Sequence, residues 1–346
     1  MRLENFDYHL PESLIAQEPH PRRDLSRMMI VRRKQKTITH VLFASLPEYL
    51  KRGDVLVVND SRVIPARLTG EKETGGKVEI LLLSRKSFIT PYLQTWETLL
   101  KPARSIRSGM SLRLAQGCEA KIGERITEKK WLVTFAASVP FDEFINLWGK
   151  TPLPPYIKRN KAQAEFPADR ERYQTIYSRV PGSVAAPTAG LHFSEEVLAA
   201  LENRGISLVM VTLHVGYGTF RPVEAEFVED YRMDEEYYEI KEEAAEIINN
   251  ADRVIAVGTT STRALETAAD ERGKIKPGAA FTKLFIYPGY RFKRVNAVLT
   301  NFHLPKSSLY LLVCAFAGHD LVKEAYDRAV NEHYRFYSYG DCMLIL

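Results

Sequence analysis

Cysteine is the scarcest feature of this 346-residue chain. Cys118, Cys314 and Cys342 are odd in number and far apart, a pattern that fits neither a zinc knuckle nor a disulfide framework, so no metal ligands are expected. The opening MRLENFDYHLP lacks a signal-peptide hydrophobic segment, and no apolar run reaches membrane-spanning length. The expected setting is a reducing cytoplasm, with no membrane partner. Internal repeats and low-complexity tracts are also missing. So are GxSxG, HExxH, CxxC, a Walker loop and GxGxxG, which leaves no serine-hydrolase, zinc-protease, P-loop or dinucleotide signature to argue from.

The chain does have enough apolar residues to bury a sizeable core: 45% are hydrophobic, and the length implies two domains. A net charge of +5 and a pI near 8.9 permit a polyanionic partner without requiring one. The central stretch begins at Ser178. Within it Ser194 is suited to cap a helix, Phe193 can staple onto Leu198, and Glu195 and Glu196 favour the first turn. Gly205 suits the left-handed residue that ends that helix. Residues 206–213 then form a largely apolar run, as in a strand covered on both faces of a parallel or mixed sheet. The flanking loops are VAAPTAGLH, holding Thr188 and His192, and HVGYGTF, holding His214, Gly216, Gly218 and Thr219. The second loop leaves the carboxyl end of the strand, where open α/β sheets place ligands. A functional cleft and a pair of ordinary turns are both compatible with these loops.

Elsewhere, residues 6–17 read as a short helix opened by Pro11, and HPRRDLSR from His20 reads either as an anion-binding loop or as a charged turn with a local Asp–Arg pair. Residues 28–31 and 54–58 read as strands, with residues 47–50 closing a helix between them, and the second strand ends in Asn59, Asp60, Ser61 and Arg62. From residue 67 to 155 period-two runs replace the strand–helix alternation, and Trp131, Val133 and Phe135 share one face. The fold class is therefore a mixed-sheet α/β domain, residues 1–66 and 156–346, with an inserted all-β barrel-like domain, residues 67–155. Lys101 and Arg104 in the insert, with Lys158 and Arg159 in the exit YIKRNK, form either an RNA-backbone surface or a solubilising one.

In the last third, residues 242–250 read as a helix and 253–257 as a buried strand that runs into a Gly/Thr loop at a helix start. Thr259, Thr260 and Arg263 sit there, either meeting a carboxylate, phosphate or ribose hydroxyl or simply capping the helix. Residues 285–289 read as a strand into a Pro–Gly turn, and Thr300, Asn301 and His303 are polar groups between apolar elements. Residues 307–316 and 321–333 read as helices, and 342–346 as an inner strand.

Ten strings, taken in order, carry a resemblance that spans the chain: NDSRVIPARL from Asn59, ETGGKVEILLL from Glu73, LPPYIKR from Leu153, YQTIYS from Tyr173, GSVAAPTAGLHF from Gly182, TLHVGYGTFRPV from Thr212, VGTTSTRALE from Val257, IYPG from Ile286, TNFHLPKSSL from Thr300 and YRFYSYGDCML from Tyr334. Together they resemble the S-adenosylmethionine:tRNA ribosyltransferase-isomerases of queuosine biosynthesis. The resemblance implies transfer and isomerisation of the ribosyl group of S-adenosylmethionine onto the 7-aminomethyl-7-deazaguanine of a tRNA anticodon, giving epoxyqueuosine-tRNA, adenine and methionine. It implies no metal or redox cofactor, and S-adenosylmethionine consumed as co-substrate. A monomer or weak oligomer is expected, though the sequence does not fix the oligomeric state. Such chemistry needs a base, an acid for departing adenine, and donors to ribose and carboxylate oxygens.

His192 and His214 are the first candidates for proton transfer, with His303 third. Gly216, Gly218, Thr219, Thr259, Thr260 and Arg263 are candidate substrate contacts, joined by Asn59, Asp60, Arg62, Thr188, Glu236 and Asn301. One string departs from the family pattern. Where relatives commonly show His-x-Met-His-x-Glu, this chain has YRMDEE from Tyr231 to Glu236, so Tyr231 and Asp234 replace the histidines. The departure implies that those histidines are not the base and that Glu236 keeps the shared role. A tRNA-binding protein without catalysis would leave S-adenosylmethionine intact, and a methyltransferase would release S-adenosylhomocysteine; the chain lacks the latter's glycine loop after its first strand.

Overall fold

A computed structural model describes residues 1–159, 167–220 and 222–346. In chain order, β1 (Arg27–Arg32), β2 (Thr37–Leu42), β3 (Asp54–Asn59) and β4 (Ser61–Val63) precede the insert. The insert comprises β5 (Arg67–Lys72), β6 (Lys77–Thr90), β7 (Leu93–Lys101), β8 (Ser111–Arg113), β9 (Glu119–Arg125), β10 (Lys130–Ala136) and α1 (Phe141–Trp148). After it come α2 (Pro167–Arg172), β11 (Val180–Ser183), α3 (Glu195–Asn203), β12 (Ser207–Leu213), β13 (Glu236–Ile240), α4 (Glu242–Asn250), β14 (Arg253–Val257) and α5 (Gly258–Ala268). The chain closes with β15 (Gly278–Thr282), β16 (Ala297–Asn301), α6 (Ser308–Ala317), α7 (His319–Asn331) and β17 (Cys342–Ile345).

Nine strands make one mixed sheet in the order β15-β13-β12-β3-β14-β16-β17-β1-β2. β12, β3, β14 and β16 run parallel, so their carboxyl ends share one edge. Every residue of β3, DVLVVN, is buried, as a central strand covered on both faces requires. β17 returns the chain to the core between β16 and β1. The insert is a closed antiparallel barrel, β10-β7-β6-β5-β8-β9. Trp131, Val133 and Phe135 do share its inner face, and α1 packs on the same core, with Phe141 stacking on Phe135 at 4.6 Å between ring centroids. The fold is thus a mixed-sheet α/β domain with an inserted barrel.

Local departures from the expected elements have local causes. Residues 6–17 hold one 3-10 turn, Glu12–Leu14, which follows another at Leu3–Phe6 after a non-helical stretch that ends at Pro11. The helix before β3 is likewise a 3-10 segment, Phe43–Tyr49, with Pro47 inside it. No strand forms at 285–289; the sheet edge is taken instead by β15, which pairs antiparallel with β13. The α3 boundaries follow the sequence signals closely: Ser194 Oγ accepts from Val197 N at 3.3 Å, and Gly205 adopts φ +71° just past the helix.

Glu266 anchors the loop between β15 and β16. Its buried carboxylate accepts from the backbone N–H groups of Lys293, Arg294 and Val295 at 2.7, 3.0 and 2.9 Å, and from the Tyr290 hydroxyl at 3.1 Å. Glu266→Ala leaves those donors without an acceptor, and the expected loss is about 2–3 kcal/mol of stability, read as a lower urea midpoint with an unchanged m-value.

Candidate active site

The parallel strands converge on a cleft of about 680 Å³, open to solvent, at their shared carboxyl edge. Val215 follows β12, Thr259 and Thr260 follow β14, Thr300 ends β16 with Asn301, and His303 lies just beyond. The small residues Ala186, Pro187 and Ala189 form another wall, and Tyr156, Tyr337 and Ser338 complete it. Gly258 makes the tight passage from β14 into α5, with φ at +86°, a conformation that disfavours any side chain. The first-turn N–H groups of α5 have no carbonyl inside the helix to bond. The hydroxyls of Thr260 and Tyr337 are both buried with no hydrogen-bond partner. Both side chains belong to the cleft lining, so these two hydroxyls are donors that the protein itself leaves unused there.

Asn301 holds this wall together. Its Oδ1 accepts from Thr188 Oγ1 at 2.9 Å, and its Nδ2 donates to His192 Nε2 at 3.1 Å and to the Tyr337 carbonyl at 3.2 Å. With Nε2 accepting, the His192 proton sits on Nδ1 and is donated to Ser26 Oγ at 2.7 Å. His192 therefore stands behind Asn301, and its ring is absent from the cleft wall. Burial, reinforced by Arg23 and Arg335, pushes its pKa down to about 3. His303 does line the cleft, bonded to Thr300 Oγ1 at 2.7 Å, and burial lowers it to about 3 as well. Both imidazoles are neutral near pH 7.

The glycine-rich loop is pinned from two sides. Gly216 N donates to Glu236 Oε1 at 2.8 Å, and the other Glu236 oxygen pairs with Arg263, whose Nε donates to the Leu284 carbonyl at 2.9 Å. On the opposite side Val215 N donates to Ser183 Oγ at 2.9 Å, which bonds Ser61 Oγ at 2.6 Å, which in turn bonds His214 Nδ1 at 2.7 Å. The His214 ring stacks on Tyr237 at 5.4 Å and rests over Gly182, where a Cβ would lie 2.5 Å from Nε2. Burial lowers the His214 pKa, and Asp60 and Glu239 partly oppose that shift. His214 thus faces away from the cleft that Val215 enters.

The remaining sequence candidates divide by location. Thr188, Thr259, Thr260, Asn301 and His303 meet in the cleft; Glu236 and Arg263 support it from behind. Asn59 instead stitches β3 to β12, bonding both the N–H and the carbonyl of Leu213. Asp60 is buried between Thr212 and Arg179. Arg62 is exposed on a separate depression with Arg170 and Gln174. Lys101, Arg104 and Lys158 are exposed, while Arg159 grips Asp169 at 2.8 and 2.9 Å and donates to the Gln17 carbonyl. Asn160 and Lys161 of the basic exit, Arg221, and the side chain of Thr219 lie outside the described residues.

At the departing string, Asp234 lies over Gly218 and pairs with Lys130 of the barrel at 3.4 Å, and Tyr231 packs edge-on against Phe285. The sequence assigns Tyr337 and Ser338 no role, and Tyr156 enters it only as the aromatic of the basic exit YIKRNK. Their places in YIKRNK and YRFYSYGD are the signals the sequence offers, and the structure adds a Tyr337 φ of +72°. Among the described residues no three His, Cys, Asp or Glu side chains group closely enough to hold a metal ion, and no helix is long and apolar enough to cross a membrane.

A family model described as "Queuosine biosynthesis protein" matches residues 3–345. A protein of Syntrophus aciditrophicus named S-adenosylmethionine:tRNA ribosyltransferase-isomerase is 55% identical, with both chains covered in full. One of Desulforamulus reducens with the same name is 51% identical, again with full coverage of both. The crystal structure of an S-adenosylmethionine tRNA ribosyltransferase from Thermotoga maritima is 34% identical over 99% of this chain and 100% of that one, with a TM-score of 0.54.

The buried neutral histidines set the acid stability. Unfolding raises their pKa toward the ordinary 6.5, so the unfolded state binds protons that the folded state refuses, and stability falls as pH drops below that value. Each contributes a loss of about 1.4 kcal/mol between pH 7.5 and 5.5. His192→Asn should roughly halve that part of the decline in urea midpoint measured across the same window.

Proposed function

The chain belongs to the queuosine biosynthesis protein family, and on that premise we propose that it transfers and isomerises the ribosyl group of S-adenosylmethionine onto the 7-aminomethyl-7-deazaguanine of tRNA. The products are epoxyqueuosine-tRNA, adenine and methionine. Identity of 55% with a named S-adenosylmethionine:tRNA ribosyltransferase-isomerase, across the whole of both chains, is the observation that carries this reading. The cleft lining combines apolar and aromatic surface with a few hydroxyls, the mixture that suits a small-molecule ligand such as S-adenosylmethionine.

The chemistry starts from the sulfonium, which acidifies the adjacent C5′ protons. Loss of one proton gives an ylide, adenine leaves C1′, the substrate amine adds at C1′, and closure to the epoxide breaks the carbon–sulfur bond and expels methionine. S-adenosylmethionine is consumed in this sequence as a co-substrate, and the scheme calls for no resident cofactor. Thr259, Thr260 and the free first-turn N–H groups of α5 are suited to the methionine carboxylate or to ribose oxygens. Tyr337, tilted against Tyr156 at 4.2 Å, offers an aromatic face and an unpartnered hydroxyl to the adenosyl moiety. Neutral His303 can exchange hydrogen bonds with ribose without adding positive charge beside the sulfonium. His192 and His214 act as positioning residues, the first holding Asn301 and the second, through Ser61 and Ser183, holding the backbone of Val215. We take the protein to act as a monomer or weak oligomer, in the cytoplasm where its tRNA is found.

The test is a product assay with purified protein, S-adenosylmethionine and tRNA bearing the aminomethyl-deazaguanine. Adenine and methionine should appear together and only with the modified tRNA; release of S-adenosylhomocysteine, or intact S-adenosylmethionine beside bound tRNA, would sink the reading. Thr260→Val removes a buried hydroxyl that has no partner in the protein, so thermal stability should hold or rise. The same variant should bind S-adenosylmethionine about tenfold more weakly, one lost hydrogen bond of about 1.4 kcal/mol, by calorimetric titration.

A further inference from the structure

A second, shallow depression adjoins the cleft and shares Ser338 with it. Its wall brings together Arg23, Arg172, His20 and the buried edge of His192. The two arginines come from segments far apart in sequence, the turn before β1 and the end of α2. Neither forms an ion pair among the described residues. Among the described residues Arg23 donates to the Leu191 and Glu171 carbonyls, and Arg172 to those of His20 and Pro21. Arg172 Nε is buried with no partner at all.

Two half-buried guanidiniums facing one cavity repel each other, and burial together with Arg172 holds Arg23 below its ordinary pKa. Glu171 offsets this only in part. Glu171 acts on Arg23 only at a distance, and the adjacent Asp24 is taken by Arg22 at 3.1 Å and by Ser194 at 3.2 Å. Arg335, close enough to act on His192, donates its guanidinium only to the Glu18 carbonyl. Cationic side chains left uncompensated in a concave site, with a spare buried N–H, fit a doubly charged or bidentate oxyanion.

We propose that this cup binds a phosphodiester group of the nucleic acid whose base occupies the cleft. The inference rests on the reading of the cleft as the site for a tRNA base. A base that enters the cleft carries its own ribose–phosphate chain over the adjoining surface, and Ser338 is the wall between the two cavities. The cup would anchor that backbone while the cleft reads the base, dividing affinity from chemistry as nucleic-acid sites commonly do. The exposed lysines and arginines of the barrel differ from it in being solvated, where Arg23 and Arg172 are already partly stripped of water.

The experiment follows binding of a fluorescent anticodon stem-loop RNA carrying the aminomethyl-deazaguanine, at several salt concentrations, to wild type, Arg23→Gln, Arg172→Gln and Arg172→Lys. Each glutamine variant should weaken RNA binding about tenfold and reduce the slope of log Kd against log salt by about 0.7, one phosphate contact on a single strand. Arg172→Lys should keep most of the salt slope, and S-adenosylmethionine affinity should stay within twofold in all of them, which shows that the cleft is intact. Unchanged RNA affinity and slope in the glutamine variants would overturn the proposal while leaving the reaction untouched. Loss of S-adenosylmethionine binding in step with RNA binding, unrescued by lysine, would also overturn it, by showing a purely structural role. A thermal shift with inorganic phosphate alone, abolished in the glutamine variants without any effect on RNA, would move the site to free phosphate and overturn the assignment to RNA. Failure of the reaction itself shows separately, as absent adenine release while RNA still binds with the Arg-dependent slope.

Discussion

The buried ion pair between Glu236 and Arg263 is the constraint on which the cleft depends. Each side chain is 4% exposed or less, so either charge alone would be poorly tolerated there; joined, they lock together parts of the chain that share no secondary structure. Through the pair, β13 holds the amide of Gly216, α5 holds β13, and the Leu284 carbonyl takes a further Arg263 donor. The amino end of α5 and the glycine-rich loop are thereby fixed relative to each other at the edge where the parallel strands end. That relation turns a common sheet edge into a shaped site.

The chemistry of the cleft wall follows from what has been kept out of it. Its histidine is held neutral by burial, the neighbouring charge pair cancels itself, and the donors that remain are hydroxyls and backbone N–H groups. Such a wall can accept a sulfonium without opposing it and still meet carboxylate and ribose oxygens. Positive charge is gathered instead in the cup beyond Ser338, where a polyanion would need it. Asp234 and Tyr231, which stand where the resemblance leads one to expect histidines, fit this division. Asp234 ties the barrel to the glycine loop through Lys130, and Tyr231 packs on Phe285, so both act at the margins of the cleft.

Much of this was legible in the sequence because the signals were local. The cap at Ser194, the left-handed Gly205, the covered strand β3 and the period-two barrel each announce themselves within a few residues. The threonines after β14 were legible for the same reason, since a strand running into a helix start is a local pattern. The histidines were harder. Imidazole in a functional string points to proton transfer only if it reaches the ligand, and whether His192 faces the cleft or props Asn301 is decided by Ser26, 166 residues away in the chain. Tyr337 went unmarked because an aromatic in a C-terminal string reads as core until the Tyr156 ring is brought against it. Arg23 was marked as part of a charged run. Its lack of a carboxylate partner could be known only once α2 was placed beside it.

The central claim is that S-adenosylmethionine binds at the carboxyl edge of the parallel strands, between the start of α5 and Tyr337. A crystal structure of the protein with S-adenosylmethionine and no tRNA tests it most directly. Ligand density within hydrogen-bond reach of Thr260 Oγ1 and the Tyr337 hydroxyl is the predicted result. Density at the Arg23–Arg172 cup, or on the barrel with the cleft left to water, would contradict the account.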